Sequence, residues 1–188
     1  MRSDLLDKAL ETLKLGGTLL YPTDTIWGIG CDACCHEAVE KIYALKERDL
    51  NKSMLVLVNE RMLSSSLPSK IWELLLHSER PTTIILPREM LSTEIAENLS
   101  AKDGSVGVRV PRFDFCEALL KALEKPIVST SANLSGRPSP SSYMDIDEII
   151  KERVDYALPN DKTFFHPQTG SSRIIKIENG GALRVIRE

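Results

Sequence analysis

The chain has no long hydrophobic run and no excess of positive charge. None of its 188 residues lie in an apolar run near the roughly 20 residues that a membrane-spanning helix needs. Lys and Arg total 24 against 27 Asp and Glu, so the net charge is -3 at pH 7, which argues against a nucleic-acid-binding polycation. The opening residues 1–4 lead into an amphipathic pattern rather than a signal sequence. We therefore expect a soluble, cytoplasmic protein in which any basic function is local.

Common catalytic signatures are also missing. No G-x-x-x-x-G-K-[ST] phosphate loop occurs, and the Gly28-Ile29-Gly30 stretch lacks the third glycine of a dinucleotide fingerprint. No G-x-S-x-G occurs, and no motif pairs His36, His77 or His166 with a nucleophile. These absences exclude a standard P-loop enzyme, and no sequence motif supports a serine hydrolase.

The cysteines are few and unevenly placed for a metal site. Cys31, Cys34 and Cys35 lie together beside His36, but a structural zinc site normally pairs two ligand clusters, and only the isolated Cys116 remains. Haem attachment would need the histidine directly after Cys34. We expect reduced, structural thiols of a cytosolic protein and no protein-held metal.

Hydrophobic periodicity predicts alternating helices and strands. A first helix with Ser3 as its cap should end at Gly16-Gly17, and further helices are predicted around residues 39–45, 69–77 and 114–123. Strands are predicted at residues 18–21, 25–31, 54–58, 82–86, 106–110, 127–129, 174–177 and 183–186. With no repeat and no long linker, this pattern indicates one layered α/β domain over residues 1–188.

Four polar segments stand where α/β sheets bind ligands, at strand ends and in the loops that follow. They are residues 21–30 (YPTDTIWGIG), 45–54 (LKERDLNKSM), 105–111 (SVGVRVP) and 129–140 (STSANLSGRPSP). Two of these segments have an ordinary structural alternative. Residues 45–54 are also typical of a solvated basic turn, because Lys46, Arg48 and Lys52 complement the dipole at a helix C-terminus. Residues 129–140 are also typical of a simple turn-rich loop, because Ser, Asn, Gly and Pro are the usual turn residues.

Arg109 interrupts an otherwise apolar strand. The pleat places Val106, Val108 and Val110 on one face, and Gly107 and Arg109 on the other. The glycine favours a close approach by another group, and a guanidinium fork suits a carboxylate or a phosphate, although a surface arginine stays the alternative. A site of cations, hydroxyls and an amide favours polyphosphate chemistry, through positioning and charge stabilisation, over covalent catalysis.

Taken together, the four segments resemble the YrdC-like family of threonylcarbamoyl-AMP synthases. "YPTDTIWGIGCDA" resembles the family's Y-P-T-[ED]-T-x-[YFW]-G-[LIV]-G opening, "LKERDLNKSM" its K-x-R segment, "VGVRVP" its central arginine strand and "STSANLSGRPSP" its S-x-N signature. "RPTTIILP" resembles a segment that often reads G-P-[LV]-T. The similarity extends from about residue 16 to the end of the chain.

This resemblance implies a twisted, mixed, open α/β sheet with flanking helices around a deep, locally positive cavity. It also implies the reaction of L-threonine, bicarbonate and ATP, with Mg2+, to threonylcarbamoyl-AMP and pyrophosphate. A carbamate on the threonine amine would attack the α-phosphorus, and cations would stabilise the phosphate charge. The product would pass to a tRNA threonylcarbamoyl transferase, and Mg2+ would be held mainly by the phosphates of ATP.

Residue roles follow from the same resemblance, position by position. The residues expected around ATP are Lys46, Arg48, Lys52, Ser105, Ser129, Asn133, Ser139 and Arg187. Those expected around threonine are Thr25, Arg109 on the carboxylate, Ser131 and Ser172. No general base is assigned, because carbamate formed in solution would need none.

The chain departs from the family pattern in several places. Ser53-Met54 replaces a frequent proline-leucine, and Leu57 stands where many members have a histidine. "GSSRIIKI" only partly resembles S-T-[IV]-[IV]-D around Ser172, and "VIRE" only partly resembles I-R-x-G, which leaves Arg184 and Arg187 both as candidates for the nucleotide. The C-terminal extension of longer members is not expected here, which implies the short form.

Two other functions stay open. One is an RNA-binding or ribosome-assembly module with weak affinity for tRNA or double-stranded RNA, against which the overall acidity argues. The other is the related carbamoyltransferase domain of hydrogenase maturation, which belongs to much larger proteins.

Overall fold

The fold is built on a mixed β-sheet with helices packed against it. The computed structural model describes residues 3–50, 53–161, 170–178 and 180–188. Its helices are α1 (Ser3–Lys14), α2 (His36–Lys46), α3 (Ser69–His77), α4 (Asp114–Leu123) and α5 (Glu148–Arg153). Its strands are β1 (Leu19–Tyr21), β2 (Gly28–Gly30), β3 (Leu55–Leu57), β4 (Thr82–Pro87), β5 (Ser105–Arg109), β6 (Ile127–Ser131), β7 (Tyr156–Ala157), β8 (Arg173–Ile177) and β9 (Leu183–Arg187).

The strands of the described residues join into one sheet in the order β7-β1-β2-β6-β3-β5-β4-β8-β9. The pairs β1/β7, β3/β5 and β4/β8 are parallel, and the other neighbours are antiparallel. Because β3 and β5 lie at the middle of this order, residues on their faces are remote from both sheet edges. Arg109, the last residue of β5, is paired in register with Leu57 there.

One face of α1 is buried, as its apolar spacing predicts. Leu5, Ala9 and Leu13 recur at every fourth residue, and each is at most 5% exposed. The helix packs against α4, whose Phe115 and Leu119 are also buried. Together with the apolar face of the sheet, these residues form the hydrophobic core. The organisation as one domain stays a prediction.

The strand β2 is shorter than the predicted strand at residues 25–31. The hydroxyl of Thr23 accepts a hydrogen bond from the Thr25 amide at 3.1 Å and donates one to the Ile26 carbonyl at 2.8 Å. These local bonds satisfy backbone groups that a longer strand would pair with its neighbour. The residues before Gly28 therefore form a turn.

The sequence analysis missed α5 and β7. Both elements are short. Among the six residues of α5 only Ile150 is buried, so no hydrophobic periodicity predicts this helix. β7 is placed by tertiary contacts, because the Asp155 carboxylate accepts bonds from the Thr18 amide at 2.7 Å and the Thr18 hydroxyl at 2.9 Å. In the ranges that the structure describes, no helix is long and apolar enough to cross a membrane.

Candidate functional site

A pocket of about 270 Å³ opens at the middle of the sheet. It receives residues from the turn before β2, from the ends of β5 and β6, and from β4, β8 and β9. Its described lining contains arginines and hydroxyls but no carboxylate. The polar lining residues are Thr23, Thr25, Arg48, Ser53, Thr83, Arg109, Ser129, Thr130, Ser131, Ser139, Ser171, Ser172 and Arg187.

Most of the predicted site residues meet in this pocket although they are far apart in sequence. Those that line it are Thr25, Arg48, Arg109, Ser129, Ser131, Ser139, Ser172 and Arg187. The pleat prediction for β5 is confirmed, since Val106 and Val108 lie in the core while Gly107 and Arg109 line the pocket. The contacts of these residues with ATP or threonine stay predictions, as does the depth of the cavity.

Arg109 is held by a buried ion pair. Its Nη2 lies 3.3 Å from Oδ1 of Asp24, and the two side chains are 3% and 4% exposed. The other oxygen of Asp24 accepts a hydrogen bond from the Arg112 amide at 3.3 Å, and Arg109 Nη1 donates to the Thr25 hydroxyl at 2.9 Å. These contacts orient the guanidinium at the pocket wall, and such a fixed fork is suited to a carboxylate.

Arg187 reaches the same pocket from the edge strand β9. Its Nε and Nη2 donate to the Ser172 carbonyl at 3.1 and 2.7 Å, and the Ser172 hydroxyl lies 2.8 Å from that of Thr83. Burial, and secondly the positive charge of Arg109, lower the pKa of Arg187. Two guanidiniums that act on one another at one pocket favour an anion between them.

The structure distinguishes Arg187 from Arg184, which the sequence did not. Arg184 is 60% exposed and pairs with Glu178 at 2.6 Å. With the ATP and threonine that the family resemblance implies as substrates, we expect Arg187→Ala to lower kcat/KM at least about tenfold, because the pocket loses a cation and the Ser172 carbonyl loses its two hydrogen bonds. Arg184→Ala is the matched control and should keep wild-type kinetics. Equal losses in the two variants would contradict the placement of Arg187.

Lys46 and Asn133 lie outside the described pocket lining, and their contacts with ATP stay predictions. Lys46 is 1% exposed, and its Nζ donates to the carbonyls of Ser131 and Asn133. Asn133 donates from Nδ2 to the Leu134 carbonyl at 2.9 Å and the Arg137 carbonyl at 2.6 Å. Lys46 Nζ and Asn133 Nδ2 thus both bind backbone carbonyls at the end of β6 or in the loop after it, and these bonds hold the backbone around Ser131.

Lys46 should make stability depend on pH. Burial, followed by the charge of Arg48, lowers the pKa of Lys46 to about 7 from its ordinary 10.5. Between these values the unfolded chain binds more protons than the folded one, so stability should rise with pH there and be flat below about pH 7. Relative to Lys46→Met, the free energy of unfolding of the wild type should increase by up to about 1.4 kcal/mol per pH unit.

Urea unfolding of the two proteins at several pH values, from about pH 6 to about pH 9, measures this difference, and titrations common to both proteins cancel. A difference that stays constant over the range would contradict the pKa of Lys46.

Two further predicted residues do not enter the described pocket. Ser105 stands at the start of β5, where its hydroxyl and amide both bind the Asp103 carboxylate, at 2.5 and 3.1 Å. The contact of Ser105 with ATP stays a prediction. Lys52 lies outside the described residues. Its neighbour Ser53 accepts a hydrogen bond at its carbonyl from Arg48 Nη2 at 2.9 Å.

The departures from the family pattern occupy different places. Ser53 and Met54 line the pocket, so they replace proline and leucine at the site itself. Leu57 is fully buried and is absent from the described lining, although it is the register partner of Arg109. A histidine at this position would therefore have to turn from the core to reach the pocket.

The cysteine cluster forms no metal site in the described part of the chain, where no three His, Cys, Asp or Glu side chains are grouped for one ion. Cys31 and Cys116 are buried free thiols, and burial raises the pKa of each. Cys34 is exposed, yet partial burial followed by the charge of Asp32 raises its pKa to about 11. These thiols are thus poor nucleophiles at neutral pH.

Sequence reasoning gave no role to Asp24, Thr23 or Thr83. Asp24 and Thr23 lie in the segment of residues 21–30, and Thr83 lies in "RPTTIILP". The motifs therefore indicated the right parts of the chain but not which residues these side chains contact. The sequence alone does not show that the Asp24 carboxylate lies beside Arg109. This contact forms only because the fold places the end of β5 against the turn that contains Asp24.

A mixed α/β sheet with an arginine- and hydroxyl-lined pocket at its middle is suited to an anionic small-molecule ligand. The family model of Sua5, YciO and YrdC, described as "Telomere recombination", matches residues 11–188. The chain belongs to this family, which confirms the resemblance read from the motifs.

Curated relatives match along most of their length. A threonylcarbamoyl-AMP synthase of Marinobacter nauticus is 33% identical over 181 residues, which cover 94% of this chain and 93% of that protein. Another, of Hahella chejuensis, is 32% identical over 164 residues, with 85% and 88% covered.

Solved structures confirm the fold class. The P. abyssi Sua5 structure complexed with L-threonine aligns with a TM-score of 0.82 at 23% identity, over 97% of this chain and 53% of that one. The chain thus spans about half the length of that Sua5 protein. E. coli YciO aligns with a TM-score of 0.79 at 22% identity, over 100% of this chain and 90% of its own.

Proposed function

We propose that this protein is a threonylcarbamoyl-AMP synthase, which condenses L-threonine, bicarbonate and ATP to threonylcarbamoyl-AMP and pyrophosphate. Two curated relatives that carry this name are similar over most of both chains. The observation that carries the proposal is the convergence of Arg48, Arg109 and Arg187 on one pocket whose described lining has no carboxylate. Such a pocket selects anionic substrates, and all three proposed substrates are anionic or carry a carboxylate.

The proposed reaction has two bond-forming steps. The threonine amine and bicarbonate give a carbamate and water. A carbamate oxygen then attacks the α-phosphorus of ATP, the bond from that phosphorus to the bridging oxygen breaks, and pyrophosphate leaves. Little covalent chemistry is left to the protein, so positioning and stabilisation of the phosphate charge carry the catalysis.

The described side chains divide between the two substrates. Arg109, fixed by Asp24, would bind the carboxylate of threonine, while Arg48, from the segment after α2, would stabilise phosphate oxygens. Ser129 and Ser139 offer hydroxyls for the nucleotide at the end of β6 and the loop beyond. Mg2+ would be held by phosphate oxygens, because the described lining supplies hydroxyls and guanidiniums rather than the carboxylates that this ion prefers.

The remaining partners are part of the same proposal. Threonylcarbamoyl-AMP is a mixed anhydride of a carbamic acid and a phosphate, so it must be consumed by an acyl transfer to a nucleophile. A tRNA threonylcarbamoyl transferase would supply this step. Cytoplasmic location and weak direct binding of RNA stay predictions.

Pyrophosphate release by the purified protein tests the proposal. We expect release from ATP and Mg2+ only when both L-threonine and bicarbonate are present. Omission of either substrate is the control. ATP binding without turnover, together with RNA binding that weakens linearly on a log-log plot against salt, would instead indicate an RNA-binding module of the same fold.

A further inference from the structure

The pairing of β9 with β8 changes register along the strand. In the regular part of the ladder Ile175 pairs with Val185. The preceding residue of β8, Ile174, then pairs with Arg187 and not with Ile186. Ile186 is therefore the extra residue of a β-bulge. Its side chain is 47% exposed and lies outside the described pocket lining.

The bulge decides the face of the sheet on which Arg187 lies. Paired residues of neighbouring strands project from the same face, and successive residues of one strand project from opposite faces. Ile174 lines the pocket together with Thr83, its partner in β4. Ile175 is buried on the other face, 3% exposed, and pairs there with the core residue Ile84. As the partner of Ile174, Arg187 belongs to the pocket face.

A regular ladder would turn Arg187 away from the pocket. If the register of Ile175 and Val185 continued without the bulge, Arg187 would pair with Arg173. Arg173 lies two residues before Ile175 in the same strand and therefore on the same face. A change of register by one residue thus moves the side chain of Arg187 from the pocket face to the opposite face.

The charges at this end of the hairpin differ between the two registers. In the regular register Arg173 would face Arg187, and like charges directly opposite each other in a sheet are destabilising. In the observed register Glu188 follows Arg187, and its carboxylate oxygens lie 3.2 Å from Arg173 Nη2 and 3.4 Å from Arg80 Nη1. An exposed ion pair alone stabilises little, but the choice of register depends on the difference between this attraction and the repulsion it replaces.

We propose that Glu188 is a positioning residue that selects the bulged register of β9 and so directs Arg187 into the pocket. The side chain of Glu188 is 62% exposed and lies outside the described lining, so it acts through Arg187. In this register Arg187 donates from Nε and Nη2 to the Ser172 carbonyl, at 3.1 and 2.7 Å. The consequence for catalysis rests on the proposed function, whereas the register itself can be tested without a substrate.

Hydrogen exchange measured by NMR tests the register directly. The Nε–H of Arg187 is bonded to a carbonyl and should exchange slowly with solvent. We expect Glu188→Lys, which puts a third cation beside two arginines, to accelerate this exchange at least about tenfold. Glu178→Lys is the matched control, because it removes the ion pair with Arg184 in the same hairpin. Equal exchange rates in the wild type and Glu188→Lys would overturn the proposal.

Deletion of Ile186 distinguishes a choice of register from a general loosening of the strand. Without Ile186 a regular ladder pairs Arg187 with Ile174, so Arg187 reaches the pocket face whatever the charge at position 188. Deleting Ile186 from Glu188→Lys should therefore restore slow exchange of the Arg187 Nε–H. Fast exchange in this combined variant would overturn the proposal, because the charge would then act by another route than the register.

The same variants, assayed for kcat/KM with ATP, measure the consequence for function. Glu188→Lys should lose about tenfold, as expected for Arg187→Ala, and the two changes together should lose no more than Arg187→Ala alone. Deletion of Ile186 should restore the activity of Glu188→Lys. Additive losses would contradict an action of Glu188 through Arg187. A wild type that does not turn over ATP would contradict the proposed function instead, and the exchange rates would then decide the proposal on the register.

Discussion

Arg109→Lys should lower kcat/KM for threonine at least about a hundredfold while the protein stays folded. The lysine keeps a positive charge beside the buried Asp24 but loses the planar fork that binds two carboxylate oxygens. It also loses the donor that Arg109 gives to Thr25 at 2.9 Å. The effect should fall on threonine more than on ATP, which steady-state kinetics with each substrate varied separately will measure.

The matched control is Arg112→Lys, at an exposed arginine three residues along the chain, outside the described lining, whose Nη2 donates to the Leu76 carbonyl at 2.6 Å. This variant should keep the wild-type KM for threonine. Arg109→Ala should in addition lower the free energy of unfolding by about 3–5 kcal/mol, because it leaves the Asp24 carboxylate buried without its arginine. If Arg109→Lys used threonine with the wild-type kcat/KM, the proposed contact between Arg109 and the threonine carboxylate would be wrong.

Gly30→Ala should destabilise the protein strongly. A Cβ at Gly30 would overlap the carbonyl oxygen of Val128 and lie 2.9 Å from Cε1 of Tyr21. Both neighbours are in the core, so neither can move aside without disturbing β1 or β6. We expect the free energy of unfolding to fall by at least about 3 kcal/mol, as measured by urea denaturation.

Gly28→Ala, in the same strand, is the control for this prediction. The atoms nearest to its added Cβ would be Ser129 Oγ at 3.3 Å and the Thr130 carbonyl oxygen at 3.4 Å, so a shift of a few tenths of an ångström accommodates it. Its stability loss should be under about 1.5 kcal/mol. Equal losses in the two variants would mean that β2 tolerates side chains throughout, contrary to the contacts of Gly30.

Alternation along the strands made much of the site predictable. In β5, a period of two is enough to separate Val106 and Val108 from Gly107 and Arg109, and the structure has them on opposite faces. The motif segments also converge as the resemblance implied. What they share is a position at the ends of strands that the sheet brings together.

The partner of Ser105 could not be predicted in the same way. The local carboxylate of Asp103 binds Ser105 at the strand start, and strand periodicity carries no information about such a local partner. Lys46 illustrates a second limit. Its flexible stem allows either an exposed or a buried end, and only the tertiary position of the loop after β6 decides that Nζ binds the carbonyls of Ser131 and Asn133.

The turn before β2 shows why contacts between hydroxyls escape a linear reading. Thr23 and Thr25 appear in the sequence as two similar short polar residues. Only the three-dimensional contacts show that Thr23 donates to the Ile26 carbonyl, whereas Thr25 accepts a hydrogen bond from Arg109.

The most direct test of the proposed reaction is mass spectrometry of the adenylate formed from ATP, Mg2+, L-threonine and carbon-13 bicarbonate. A synthase must place the labelled carbon between the threonine nitrogen and the AMP phosphate, with one pyrophosphate released for each adenylate. We predict a threonylcarbamoyl-AMP that carries one label and that is absent without threonine or in Arg109→Ala. An adenylate of threonine without the label, or none at all from folded protein that binds ATP, would contradict the proposed reaction.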